Sequence, residues 1–135
     1  MSADYKTIAK KLKFEGRAFI DGKYVDAIDS KKFENINPAT GEILCSVAKC
    51  NYKDVDLAVK ISRKAFNSGV WSRTSPEFRK NILLKFAELL RQTGEKNSVL
   101  ECVDTGKLIG DCINEVANDA PMHFQWYGEL IDKVF

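Results

Sequence analysis

The sequence has one histidine, His123, and its four cysteines form no C-x-x-C pair. A single histidine cannot anchor a catalytic triad unless a distant nucleophile folds against it, and zinc sites need closely spaced Cys and His ligands. No glycine-rich phosphate-binding fingerprint occurs either. These shortages exclude the common hydrolytic, zinc-binding and nucleotide-binding motifs from the 135 residues.

A strong net charge and long apolar runs are also missing. The 21 basic and 19 acidic side chains leave a net charge of +2, which is too small to indicate a nucleic-acid or membrane partner. No run is long enough to cross a bilayer, and the N-terminus lacks the hydrophobic stretch of a signal peptide. Together with unpaired thiols, these absences predict a cytoplasmic chain.

The length suits one ordinary domain, and 44% of the residues are hydrophobic, so a core is expected. The basic excess lies in residues 1–17, where five cationic side chains accompany two acidic ones. We therefore predict a basic N-terminal tail over residues 1–17 and a structured segment over residues 18–135. Helical spacing of apolar residues in the tail predicts a short helix that ends at Gly16.

Strand signals are confined to the first third of the chain. Asp21-Gly22 separates two short β-prone runs and predicts a hairpin over residues 18–25. Extended runs at residues 33–36 and 42–47 flank a turn that contains a proline and a glycine. We expect the strands of residues 18–25 and 42–47 to lie in one antiparallel unit.

Two helices are predicted next, because the hydrophobic period changes from two to 3.6 residues. The first is capped by Asn51, begins near Asp54 and ends at Gly69. The second begins at Pro76, a residue type favoured in the first turn of a helix. We expect Gly94 to break or kink this second helix.

The last helix is predicted to begin near Ile109. Pro121 must lie either at a kink in this helix or in the first turn of a fresh segment. Strands come first and helices follow, and too few strands alternate with helices to build a wound parallel sheet. The order therefore predicts an α+β fold with a short N-terminal hairpin and strands, followed by three or four long helices.

The candidate reactive side chains have plain structural interpretations. His123 lies on the flank of an apolar helix, which favours a structural histidine. Cys45, Cys102 and Cys112 lie among aliphatic residues, where thiols behave as small buried hydrophobes. Only Cys50, beside lysines, has the cationic neighbours that lower a thiol pKa. We predict no catalytic residue among these five.

Six segments, taken together and in order, resemble the N-terminal part of the aldehyde dehydrogenase superfamily. In chain order they are Phe19-Ile20-Asp21-Gly22-Lys23-Tyr24-Val25, Phe33-Glu34-Asn35-Ile36-Asn37-Pro38-Ala39-Thr40-Gly41-Glu42, Asp54-Val55-Asp56-Leu57-Ala58-Val59 with Ala65-Phe66, Trp71-Ser72 with Arg79, Leu100-Glu101-Cys102-Val103-Asp104-Thr105-Gly106-Lys107, and Trp126-Tyr127 with Ile131-Asp132-Lys133. Each segment is weak alone, but six in the family's order make the resemblance specific.

The resemblance implies an N-terminal segment of an NAD(P)-dependent aldehyde dehydrogenase. The Asp-Thr-Gly-Lys motif and Ile131-Asp132-Lys133-Val134 are most similar to the branch acting on γ-glutamyl-γ-aminobutyraldehyde and related aminoaldehydes. Family members are several times longer, and their coenzyme-binding core, activating glutamate and Gly-Gln-x-Cys nucleophile match nothing in this chain. We therefore expect NAD or NADP in the parent enzyme, no coenzyme bound to this chain, and no catalytic residue within it.

A structural monovalent-cation site is also implied by the resemblance. Its ligands are backbone oxygens of the residues matching Asn35 and Ile36 and the carboxylate matching Asp104, which suits a hard cation. An alternative for Asp104 is a carboxylate that orders the turn following it. Leu108 stands where the family usually has proline, which predicts a less rigid turn.

Two functional hypotheses follow. The chain is either a scaffold segment of the parent enzyme or an independent non-enzymatic helical module or regulator from a truncated gene. The apolar helix faces would pack on the rest of the enzyme in the first case, and within the chain or a homo-oligomer in the second. The expected partners are therefore the remainder of the parent enzyme or a second copy, with no nucleic acid and no membrane. The faces expected to self-associate carry Phe78, Ile82 and Phe86, and Phe124, Tyr127 and Ile131.

Overall fold

The structure, a computed structural model, describes residues 4–133. Residues 13–73 form one compact unit, and the described residues before and after them form a second. Within the described chain, one short helix is followed by two pairs of short strands and then by a series of helices. The predicted α+β class is therefore confirmed.

The first hairpin is formed by β1 (Ala18–Ile20) and β2 (Lys23–Val25), which pair antiparallel. Both residues of its two-residue turn have positive φ, 55° at Asp21 and 75° at Gly22. This conformation matches the right-handed twist of the flanking strands and explains the preference for Asp-Gly. The predicted hairpin is confirmed.

The second hairpin is formed by β3 (Lys32–Ile36) and β4 (Ile43–Ala48), again antiparallel. It is a sheet of its own, separate from the first hairpin. The prediction of one antiparallel unit for residues 18–25 and 42–47 was therefore wrong. The strand of residues 43–48 pairs with its sequence neighbour instead, since a short loop costs little closure entropy.

Gly16 has a different role from the predicted one. The first helix, α1 (Tyr5–Lys10), ends well before it. The Gly16 carbonyl accepts a hydrogen bond from the Ala48 N–H at 2.7 Å, and a Cβ on Gly16 would lie 2.0 Å from the Ser46 carbonyl oxygen. Glycine is thus required here for close backbone approach to β4, not for ending a helix.

The helix of the first unit, α2 (Tyr52–Ser68), has the predicted caps. The Asn51 side chain accepts from the Lys53 N–H, and the Asp54 carboxylate accepts from the Asn51 N–H to complete a capping box. Gly69 closes the helix with a left-handed φ of 74°. The helix begins two residues earlier than predicted.

In the second unit, α3 (Pro76–Thr105) is one continuous helix of 30 residues, capped by Ser75. The predicted break at Gly94 is wrong, because the helix continues through it. Gly94 is buried, and a Cβ there would lie 2.9 Å from the Cβ of Ala117. Glycine at this position therefore allows the helix to pack closely against Ala117 and does not end the helix.

The last helical region has three parts: α4 (Ile109–Cys112), a π-helical segment (Ile113–Asp119) and α5 (Ala120–Leu130). Pro121 lies in the first turn of α5, which confirms one of the two predicted alternatives. The preceding Ala120 N–H bonds to the Glu115 carbonyl, five residues back. Because proline has no N–H and clashes with the carbonyl four residues back, a wider turn accommodates it.

The hydrophobic side chains that are buried in the described chain are small ones. They are Ala27, Ala48, Ala87, Val99 and Cys112. Larger apolar side chains on all three long helices remain substantially exposed, as the scarcity of sheet predicts, although Ile131 is half-buried. No helix among the described residues is both long and apolar enough to cross a bilayer.

Candidate functional site

The expected cation ligands lie on two elements. Asn35 and Ile36 are the last residues of β3, and Asp104 lies in the last turn of α3. The first two belong to one compact unit and Asp104 belongs to the other. The site they would form therefore stays a prediction, and each half is described by itself below.

The β3 half has an irregular backbone. The pairing register with β4 shifts between Asn35 and Ile36: Asn35 lies opposite Cys45, whereas Ile36 lies opposite Ile43. A bulge of this kind disrupts the ladder and redirects backbone groups locally. Backbone carbonyls at such a point are chemically suited to a hard cation.

The α3 half carries negative charge. The helix ends at Gly106, whose φ is 77°, and no basic side chain lies in the last turn. The C-terminal end of a helix has a partial negative charge, to which the Asp104 carboxylate adds. A cation is therefore favoured here. The following turn is held by Thr105, whose hydroxyl donates to the Glu101 carbonyl at 2.7 Å and accepts from the Lys107 N–H at 3.3 Å.

Lys107, the lysine of the Asp-Thr-Gly-Lys motif, forms an ion pair with Glu115 of the π-helical segment at 2.5 Å. The hydrogen bond to this carboxylate raises the pKa of Lys107. Leu108, the departure from the family pattern, has a φ of −62°. That angle is the one proline would fix, so the backbone at this position is compatible with proline.

The cysteines differ in accessibility. Cys112 is fully buried, and burial raises the pKa of its thiol. It is thus the small buried hydrophobe that the sequence predicts. Cys45 and Cys102 are half-buried, whereas Cys50 is exposed. All four are free thiols.

His123 is hydrogen-bonded within its own helix, its Nδ1 lying 2.8 Å from the Asp119 carbonyl oxygen. This contact supports the structural interpretation, although the side chain is exposed. The described residues bring together no group of three His, Cys, Asp or Glu side chains suited to a metal ion.

Asp54 has a role that sequence reasoning found only in part. It is 4% exposed, and besides the Asn51 N–H its carboxylate accepts the Ile28 N–H at 2.9 Å. The local capping bond was predictable from spacing. The bond to Ile28 has no signal in the sequence because 26 residues separate the two partners.

Both sheets of the described chain are antiparallel hairpins. A dinucleotide site of the Rossmann kind needs parallel strands joined by crossover helices, with the coenzyme at their carboxyl ends. The described residues thus supply helices and hairpins but do not form such a site.

Comparison with known proteins identifies the family. The aldehyde dehydrogenase family profile matches residues 24–135. The aminoacetaldehyde dehydrogenase of Pseudomonas aeruginosa is 41% identical over 132 residues, covering 98% of this chain and 27% of that protein. The NADP/NAD-dependent aldehyde dehydrogenase PuuC of Escherichia coli is 37% identical over 127 residues, covering 94% of this chain and 26% of its own length. The chain thus spans about a quarter of these relatives.

Comparison with solved structures identifies the same family as comparison with sequences. The γ-glutamyl-γ-aminobutyraldehyde dehydrogenase of Burkholderia cenocepacia matches with a TM-score of 0.92 and 41% identity, over 97% of this chain and 27% of that chain. An indole-3-acetaldehyde dehydrogenase complexed with NAD+ matches with a TM-score of 0.92 and 41% identity, over 98% of this chain and 27% of that one. The two hairpins and the helices that follow them are thus those of the N-terminal part of aldehyde dehydrogenases, and the chain belongs to the aldehyde dehydrogenase family.

Proposed function

We propose that this chain is the N-terminal scaffold of an NAD(P)-dependent aldehyde dehydrogenase, which oxidises an aldehyde to a carboxylic acid. The family match over residues 24–135 supports the activity class. Coverage of 27% of the first relative supports a scaffold that acts together with further residues. An NAD+ complex among the similar structures supports the coenzyme class.

The observation that carries the scaffold proposal is an apolar face on α3 and α5, which we call the α3/α5 face. Its members are 38–61% exposed: Phe78, Ile82 and Phe86 on α3, and Phe124 and Tyr127 on α5. The two helices' contributions meet where the rings of Phe86 and Phe124 stack edge to face, with centroids 4.6 Å apart. Large apolar patches are uncommon on free monomers and mark packing surfaces. The partner we propose for this face is the remainder of the parent enzyme.

The roles that we assign to this chain and to the rest of the parent enzyme follow from the residues present. The described chain supplies hydrogen-bonded caps, turns and packing faces, and we assign no catalytic or coenzyme-binding role to any of its residues. The coenzyme supplies a hydride acceptor when bound. We propose that the nucleophile, the activating glutamate and the coenzyme site come from the rest of the parent, and that residues 1–135 alone are inactive.

The implied cation site is part of this proposal. We propose that the backbone oxygens of Asn35 and Ile36 and the carboxylate of Asp104 bind a structural monovalent cation in the parent. The support is local: an irregular strand pairing at the first two residues, and a helix end without basic side chains at the third. Both features suit oxygen ligation of a hard cation.

For the substrate we propose an aminoaldehyde. The motif at residues 104–107 and the names of the similar aminoacetaldehyde and γ-glutamyl-γ-aminobutyraldehyde dehydrogenases support this class. The proposed compartment is the cytoplasm, where the four free thiols of the chain would stay reduced.

A chimera tests the scaffold role. The chain replaces the matched region of the Pseudomonas aeruginosa relative, and aldehyde-dependent NAD+ reduction is compared with that of the chain alone. We expect the chimera to be active and the chain alone to show neither turnover nor saturable NAD+ or NADP binding by calorimetry. Ile82→Glu should abolish assembly of the chimera, because it places a carboxylate in the proposed packing face. Glu95→Lys is the matched control, because Glu95 is exposed on the same helix but lies about 140° around it from Ile82.

Each result decides between the two hypotheses. A folded chimera without activity, or an Ile82→Glu chimera as active as the Glu95→Lys control, contradicts the scaffold role and favours an independent module or regulator. Saturable coenzyme binding or turnover by the chain alone contradicts the proposal that its residues have no catalytic part.

A further inference from the structure

The turn after α3 carries a lysine next to the helix end that we propose binds a cation. Lys107 is the second residue after the helix, beyond the left-handed Gly106, and its N–H is held by the Thr105 hydroxyl at 3.3 Å. Lysine side chains at such positions commonly bond the last carbonyls of a helix and are attracted by its partial negative charge. An ammonium group is itself a compact monovalent cation, carried here on a flexible stem. Lys107 is therefore chemically suited to take the place of the proposed cation.

The structure shows this ammonium bonded to a different partner. Lys107 Nζ lies 2.5 Å from Oε2 of Glu115, on the π-helical segment. The hydrogen bond to Glu115 is the main cause of the raised pKa of Lys107, and the negative charge of Glu101 raises it further. Glu101 lies on α3 three residues before Asp104. The ammonium thus stays within electrostatic range of the end of α3 while it is bonded to Glu115.

The backbone that carries the Glu115 carboxylate is fixed by bonds that do not involve Lys107. The Glu115 carbonyl accepts the Ala120 N–H, five residues on, in the wide turn that accommodates Pro121. Lys107, Glu115 and Asp104 all lie in the same compact unit. Their arrangement therefore does not depend on the position of the other unit.

We propose that Glu115 is a positioning residue for the cation site: it binds the Lys107 ammonium and so prevents this ammonium from competing with the monovalent cation for Asp104 and the end of α3. This role of Glu115 rests on the cation site proposed above and adds a competitor that lies within the chain. Neutralising Glu115 releases Lys107 to the helix end and lowers the apparent affinity for the cation. An ion pair that only braces the turn would behave differently, because loss of either partner would then weaken the site equally.

The size of the effect follows from the strength of the ion pair. A lysine–glutamate pair that water reaches favours its bonded state by a factor of roughly two to five. Glu115→Gln should raise the half-saturating cation concentration by up to this factor, whereas Lys107→Met should leave it unchanged or lower it. In the Lys107→Met background, Glu115→Gln should have no effect, because the competitor is gone. A long-range effect of charge alone would instead be the same in both backgrounds.

The experiment uses the chimera described above, which contains the full chain. Equilibrium dialysis with radioactive rubidium, a substitute for potassium, measures binding, and thermal melts in KCl or NaCl against choline chloride at constant ionic strength give a second measure. Asp104→Ala removes the proposed ligand and should abolish saturable binding. Asp111→Asn is the matched control for Glu115→Gln, because it removes an acidic charge from α4 that is not part of the Lys107–Glu115 pair. It should leave the affinity unchanged, and circular dichroism checks that each variant is folded.

The outcomes separate a failure of the cation site from a failure of the role of Glu115. An original chimera without saturable cation binding, or with binding that survives Asp104→Ala, overturns both. Binding that requires Asp104 but does not change with Glu115→Gln overturns the role of Glu115 alone. Three further results do the same: an equal loss in Lys107→Met, which indicates a brace of the turn, an effect of Glu115→Gln that persists in the Lys107→Met background, and an equal effect of Asp111→Asn.

Discussion

The close approach of α3 to the π-helical segment makes a sharp prediction about Gly94. An alanine Cβ at this position would lie 2.9 Å from the Cβ and 3.0 Å from the Cα of Ala117. Neither atom belongs to a flexible side chain, so a helix must shift to make room. Overpacking of a filled site of this kind costs about 1–3 kcal/mol.

A second effect opposes the clash. Replacing glycine by alanine inside a helix stabilises it by about 1 kcal/mol, because glycine loses more backbone entropy on folding. Gly94 is buried against a neighbouring helix, so we expect the clash to outweigh this gain and Gly94→Ala to lower the free energy of unfolding by up to about 2 kcal/mol. Gly110 is the matched control: it is also helical, but a Cβ added there would have no neighbouring atom within 4 Å. Gly110→Ala should therefore leave stability unchanged or raise it by up to about 1 kcal/mol.

The measurement is urea unfolding followed by circular dichroism, at several protein concentrations so that association is recognised. Gly94→Ala should lower the midpoint, whereas Gly110→Ala should leave it unchanged or raise it. Adding Ala117→Gly to Gly94→Ala removes the nearer of the two clashing atoms and should recover part of the loss. Equal effects of the two glycine substitutions would refute the packing argument and return Gly94 to an ordinary helix position.

Three further predictions concern local chemistry. The hydrogen bond from Lys80 lowers the pKa of Asp132, so Lys80→Gln should raise that pKa towards its usual value in an NMR titration. Because the folded-state pKa is lowered, the stabilisation from this pair is present above the unfolded pKa and is lost as the pH falls through the folded one. Exposed Cys50 should react with iodoacetamide before buried Cys112, as read by peptide mass spectrometry. Leu108→Pro should stabilise by about 0.4–1 kcal/mol in thermal melts, because the native φ already suits proline.

Each of these three predictions has a control or an outcome that would contradict it. Lys85→Gln, on the same helix, should leave the pKa of Asp132 unchanged. In urea the order of thiol labelling should disappear, because burial causes it. A destabilising Leu108→Pro would mean that the residue's N–H or its neighbour's conformation matters more than φ.

The sequence predicted features that depend on a few adjacent residues. The Asp21-Gly22 turn, the Asn51 capping box and the left-handed Gly69 are each specified within four residues, where steric and capping preferences dominate. Its errors came from distant partners. Gly94 is glycine because of Ala117, and a local pattern cannot distinguish a packing glycine from one that breaks a helix.

The same limit applies to the candidate site. The sequence identified the capping bond of Asp54 but not its bond to Ile28, which depends on where the β2–β3 connection lies. The cation ligands were inferred from family resemblance alone, because backbone oxygens leave no trace in residue type. The sequence placed residues 43–48 in one unit with the first hairpin, whereas they pair with β3 in a separate sheet, because strand propensity does not specify which strand is the partner.

The α3/α5 face allows a last prediction about the chain on its own. Burying a Leu, Ile or Phe side chain is worth roughly 1.5–3 kcal/mol, so a side chain left about half exposed forgoes about 1 kcal/mol. The face has five such residues, with exposures from 38% for Phe124 to 61% for Tyr127. The combined loss of about 5 kcal/mol is comparable to the whole stability of a small domain, about 5–15 kcal/mol. We therefore expect the isolated chain either to self-associate through this face or to have a fluctuating core that binds apolar dyes.

Sedimentation and dye binding, measured on the same samples, separate the two outcomes. Ile82→Lys should reduce association through the α3/α5 face, because it places a charge at the centre of the contact, whereas Glu95→Lys, on another side of the helix, should not. A monodisperse monomer that unfolds cooperatively and binds no dye would mean that five half-exposed apolar side chains cost far less than area arguments require. The independent-module hypothesis would then be the better one, because a chain that is stable with this face uncovered has no need of the parent enzyme to cover it.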